Sequence, residues 1–154
     1  MNSKVFMVLR IVLGLMLLVF GLNKFFHFLP DPEGMSADAG AYFGALMSTK
    51  TMTLVAIVEV VTGLTFLLNK CGALMAIILM SVSVNAVLFH VALDSANIAL
   101  ALVLLVLNIV VLYGYKGKYK ELMAWILYKK RGFLSLFFIL VIVAVDIAKE
   151  LFQQ

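Results

Sequence analysis

The sequence is short of nearly everything a soluble enzyme carries. Charged residues are 13% of its 154 residues, against about 25% in an ordinary soluble domain. It holds 2 prolines, 10 glycines and a single cysteine, Cys71. A lone cysteine excludes a disulfide framework and a CxxC redox pair within the chain. The few glycines and prolines exclude a collagen-like repeat, and an apolar content of 65% excludes a disordered chain. No Gly-rich phosphate loop, zinc-ligand spacing, Ser-His-Asp set or nucleophilic-cysteine motif occurs. What is left is a polytopic membrane protein. In such a chain the net charge of +4 sets orientation rather than marking a nucleic-acid surface.

What is present is long and apolar. Five stretches stand out: Val5–Phe26, Thr51–Leu68, Cys71–Leu93, Ala96–Tyr115 and Phe133–Ala148. The first four run about 18–23 residues, enough to cross a hydrocarbon core of about 30 Å; the fifth, about 16, is near the lower limit. None shows the alternation that a lipid-spanning barrel needs, whereas helices satisfy their own backbone. The expected fold is all-α and transmembrane, a four-helix bundle over 1–122 with a C-terminal extension over 123–154. The extension carries a basic interfacial segment and a fifth helix that crosses the membrane or lies at its interface. Val5–Phe26 is read as a retained helix, because Arg10 interrupts it and no small-x-small cleavage site follows.

The connections assign sides. Lys4 precedes the first span, Lys70 lies in the second connection, and Lys116, Lys118, Lys120, Lys129, Lys130 and Arg131 crowd the fourth. Asp31, Glu33 and Asp38 fall in the first against Lys50, Asp94 falls in the third, and Glu121 stands against the bases of the fourth. Placing the basic segments in the cytoplasm puts the N-terminus inside, and four alternating spans agree with it. In the first connection Ser36 can cap a short helix, Ala37–Ser48, expected to lie at the outer interface. Trp125 and the tyrosines 113, 115, 119 and 128 suit the headgroup level.

Ionisable groups at membrane depth are expensive, so each needs a partner or a wet cavity. The candidates are Arg10, Lys24, Glu59, His90 and Asp94, with Asn85 and Asn108 as neutral companions. At 100° per residue Arg10, Gly14, Leu17, Gly21 and Lys24 share one stripe of the first helix. Glycines admit a neighbouring helix closely, so this stripe should face a helix and not lipid. On the second span Glu59 shares a stripe with Gly63 and Phe66, with Thr62 at its edge. The natural pairing is Glu59 with Arg10, while Lys24 is expected to snorkel to the outer headgroups. His90 and Asp94 are i,i+4 neighbours, so the carboxylate can orient the imidazole. They share a stripe with Ser83 and Asn97. Asn85 points roughly opposite, towards another helix. A haem would need both His27 and His90, and His27 sits beside Pro30 at a chain exit, which argues against it. No metal site is expected. Cys71 stands alone at the inner interface.

Several patches together carry a resemblance. Leu9-Arg10-Ile11-Val12-Leu13-Gly14 and the run Phe20-Gly21-Leu22-Asn23-Lys24 to Pro30 resemble the opening of DoxX-like membrane proteins. Glu59 and Gly63 fit that family's Glu-x-x-x-Gly pattern. Asn85, Phe89, His90, Leu93 and Asp94 fit its third-helix stretch, and the Tyr113–Tyr119 finish is similar. Two features depart: Ser95 follows Asp94 where a proline is expected, and the chain runs on past Leu122. The resemblance implies a four-helix bundle in a bacterial-type cytoplasmic membrane. It also implies a link to membrane oxidoreductase assemblies, because founding members are subunits of a thiosulfate:quinone oxidoreductase. A quinone is therefore the cofactor class it suggests. The leading expectation is an accessory subunit of a quinone-linked or redox-stress complex, with Arg10, Lys24, Glu59, Asn85, His90 and Asp94 around an intrabundle polar pocket. Gly14, Gly21 and Gly63 would pack the helices. The alternatives are a non-catalytic assembly factor or chaperone for a membrane partner, and a small-solute or proton pathway. Whether the chain is itself an enzyme, and whether it forms homo-oligomers, is left open by the residues.

Overall fold

A computed structural model describes residues 2–30 and 35–121. The first compact unit ends at Tyr115 and a second begins at Lys116; of the second, 116–121 are described and are helical. The expected fifth helix at 133–148 and most of the basic segment lie outside the described residues.

The first unit contains α1 (Ser3–Phe26), α2 (Ala37–Ser48), α3 (Thr51–Leu68), α4 (Gly72–Leu93), a 3-10 turn (Ser95–Asn97) and α5 (Ile98–Gly114). Four are long and apolar enough to cross a membrane, α5 counting with its 3-10 lead-in. α2 has 12 residues, about 18 Å of rise, and is too short to cross. The helix ends follow local chemistry. The side chains of Asn2 and Ser36 cap α1 and α2 by accepting the Lys4 and Ala39 amides. α1 stops before Pro30, with His27 left-handed (φ 50°) and the Asn23 side chain taking the Leu29 amide at 2.7 Å. Asn69 closes α3 in the same left-handed conformation, which asparagine tolerates well.

The long helices run antiparallel in chain order, α1 against α3, α3 against α4, α4 against α5, with α5 closing on α1. The α1–α3 contact is the most extensive and α4–α5 the next. Arg10, Leu13, Gly14, Leu17 and Gly21 of α1 are buried, while Val5, Val8, Val12, Leu15 and Val19 face outward. Two glycines set the α1–α3 spacing. A Cβ on Gly63 would come within 2.8 Å of the Gly14 carbonyl oxygen, and one on Gly21 within 3.0 Å of the Val60 amide nitrogen. No side chain larger than hydrogen fits there unless the helices separate. Between α4 and α5 the device is polar. Asn108, fully buried, lies 3.3 Å from the Ser83 hydroxyl whichever way its amide is turned.

Candidate functional site

α1 leaves the bundle where α3 enters it, and α2 folds over that end. Ser36 Oγ donates to the Leu93 carbonyl at 2.9 Å, tying the start of α2 to the end of α4. Tyr42 stacks on Phe89 and Phe43 meets the same ring edge-on, with centroids 5.5 and 5.1 Å away. Beneath α2 lies a cavity of about 680 Å³ with contributions from every helix. Its walls are largely apolar, including Phe20, Phe43, Phe89, Met35, Met47 and Met52.

Two polar groups interrupt those walls. On the α1–α3 side the Lys24 ammonium donates to Glu59 Oε2 at 2.7 Å. Glu59 is 4% exposed. On the α4–α5 side His90 Nδ1 lies 3.1 Å from Asp94 Oδ2, and Asn97 Nδ2 donates to both Asp94 oxygens at 3.1 Å. Asp94 is buried and fully engaged, so it holds the imidazole in place and leaves Nε2 as the ring nitrogen without a bond to it. Asn97 was on the predicted stripe but was not singled out. His27 and Asn23 also line the cavity. Both histidines thus border one space, although no group of three metal-ligating side chains forms among the described residues.

Four expectations are corrected. Glu59 does not pair with Arg10, and Lys24 does not reach out to the headgroups; these two residues pair with each other. Helical phase gives the face of a residue but not its height. Gly14 packs against Gly63 and Phe66, and Gly21 against Glu59 and Val60. Glu59 is therefore level with residue 21, and Arg10 lies 11 positions back, about 16 Å along the axis. The Lys24 stem leans towards the N-terminus of its helix, as helical side chains do, and that carries its ammonium to Glu59. Arg10 accordingly lies outside the cavity. So does Asn85, which is exposed and donates to the Ser81 carbonyl of its own helix at 3.0 Å.

Arg10 occupies the other end. It is 6% exposed and its guanidinium lies beside the Tyr115 hydroxyl. That hydroxyl also reaches Asn69 Oδ1 at 3.5 Å and presses on Gly72, where a Cβ would overlap it. Tyr115, expected at the headgroup level, is 3% exposed, and Phe6 packs edge-on against its ring. Burial pushes the Tyr115 phenol pKa up, and the adjacent guanidinium pulls the other way.

This architecture defines a class: a multi-pass α-helical membrane protein with a cavity near one end of its bundle. A family model described as DoxX matches residues 5–92, from α1 to the last turn of α4, and the chain belongs to the DoxX family. Comparisons with curated proteins and with solved structures give no match. The matched region contains Arg10, Lys24, Glu59 and His90, whereas Asp94, Asn97 and α5 lie beyond it.

Proposed function

We propose that this chain is an accessory subunit of a quinone-linked or redox-stress membrane complex, and that its cavity takes a quinone-like headgroup. The observation that carries the reading is the cavity's composition. A ligand pocket is typically about 300–1,000 Å³, mainly apolar, with a few convergent polar groups. Here aromatic and methionine walls suit a ring and its first isoprenoid carbons. The Lys24 ammonium is a donor suited to a quinone carbonyl oxygen, and His90 Nε2, with Nδ1 turned to Asp94, is an acceptor suited to a quinol hydroxyl. Glu59 holds the Lys24 ammonium and Asp94 holds the His90 ring, which fixes both groups before a ligand arrives. α2 covers part of the cavity mouth, with Phe43 and Met47 in its wall. A bound quinone supplies two-electron, two-proton carrier chemistry; the chain's own part is to bind, orient and shield it.

The reading also places the chain in a cytoplasmic membrane with its N-terminus inside. Lys4 and Lys70 belong to the Tyr115 end of the bundle, and Lys116, Lys118 and Lys120 follow Tyr115 directly in sequence, whereas Asp38 and Asp94 belong to the α2 end.

The test is thermal unfolding of the purified chain titrated with ubiquinone-1, beside extraction of any co-purified quinone. The expected result is a saturable rise in the midpoint, lost in Lys24→Met and in His90→Phe. No rise and no extractable quinone in the unmutated protein would remove the reading.

A further inference from the structure

We propose a second site at the Tyr115 end of the bundle, independent of the cavity: an anion site built on Arg10 that takes a phosphate-type oxyanion. Arg10 Nε and Nη1 are buried with no hydrogen-bond partner. A guanidinium does not shed its proton, so the charge is permanent, and a permanent charge enclosed among apolar helices requires a counter-charge. No carboxylate supplies it among the described residues. Glu59 is taken by Lys24 and Asp94 by His90 and Asn97. The neighbouring Tyr115 hydroxyl supplies no counter-charge.

The surroundings suit an oxyanion. The same Tyr115 hydroxyl lies against Gly72, the first residue of α4, so the guanidinium and that helix N-terminus are one phenol oxygen apart. No side chain caps α4, whose N-terminus carries the positive end of the helix dipole. Lys70, in the α3–α4 turn, and Lys4 are exposed and add positive potential at this end. Nε and Nη1 lie on different edges of the guanidinium, and each is a charged N–H donor suited to a phosphate oxygen. Its depth is also suitable. Arg10 lies about 10 Å into α1 and its stem leans back towards the helix start, which brings the head level with the α3–α4 turn. That is where the bundle end meets the headgroup layer. The oxyanion has two sources, an anionic phospholipid headgroup or free phosphate.

The experiment uses the full chain in nanodiscs of phosphatidylcholine alone, of phosphatidylcholine with phosphatidylglycerol, and of phosphatidylcholine with millimolar inorganic phosphate. A higher unfolding midpoint with phosphatidylglycerol that is lost in Arg10→Gln, but largely kept in the Lys4→Gln/Lys70→Gln pair, assigns a lipid headgroup. The same pattern with inorganic phosphate assigns the free ion. Native mass spectrometry of the unmutated chain gives a reading that needs no variant to fold: phosphatidylglycerol should be retained over phosphatidylcholine by about tenfold, the scale of one good charged contact. A response to neither anion, an equal response in Arg10→Gln, or equal retention of both lipids without a phosphate effect overturns the site.

Discussion

The two ends of the bundle treat charge in opposite ways. At the α2 end each buried carboxylate has a side-chain donor at hydrogen-bond distance, the Lys24 ammonium for Glu59 and the His90 ring and Asn97 amide for Asp94, and the space between them is a cavity. At the Tyr115 end a buried guanidinium meets no carboxylate among the described residues and lies beside a phenol, and the packing is tight enough that Gly72 admits no Cβ. The difference teaches that a polar stripe along one helix need not be one site. Arg10 and Lys24 share a face of α1, but the α1–α3 register delivers one of them to an acid and withholds the other from it. The α2 end is arranged to receive a ligand with its carboxylates already hydrogen-bonded. The Tyr115 end keeps an uncompensated positive charge.

The largest expected effect comes from breaking the register that separates the ends. Gly63→Leu puts branched carbon where the Gly14 carbonyl and Leu18 now lie, and should destabilise by about 3 kcal/mol or more, measured by reversible unfolding in detergent. It should damage both ends together. Next comes a contrast between single charges. Glu59→Ala strands Lys24 and should cost about 2–3 kcal/mol, less than the ~3–5 of a fully buried pair because the Lys24 side chain is 24% exposed and can turn to water. Arg10→Met, in neutral detergent, removes a charge that has no acid and should be neutral or stabilising. Equal losses in the two variants would erase the comparison.

The smallest effect is a pH dependence. The folded pKa of Tyr115 is raised above its ordinary 10.0, so folding favours the protonated phenol. Its contribution is complete below pH 10 and is lost as the pH rises through the raised value. Unfolding midpoints followed across that range should fall more steeply in the unmutated protein than in Tyr115→Phe.

Much of this was legible in the sequence. Continuous apolar runs gave the four spans, and α3 begins and ends where Thr51–Leu68 was expected. Ser36 announced α2 because a hydroxyl before a helical pattern satisfies a first-turn amide. The inward stripe of α1 followed from helical phase. Heights did not follow, because which turn of α1 meets which turn of α3 is decided by close contacts at Gly14, Gly21 and Gly63, remote in sequence. That is why Glu59 was matched to the wrong base. The burial of Tyr115 is not legible in the sequence for a related reason: it depends on the room left by Gly72, 43 positions away in the chain. Asn85 lies opposite His90 on α4, and its amide is satisfied within its own helix.

The most direct test of the register, and so of the separation between the ends, is a pair of double-mutant cycles on unfolding free energy. One combines Lys24→Met with Glu59→Gln, the other Arg10→Met with Glu59→Gln. The structure predicts a coupling of about 1–2 kcal/mol in the first cycle and none beyond about 0.5 kcal/mol in the second. Coupling between Arg10 and Glu59, with none between Lys24 and Glu59, would contradict it.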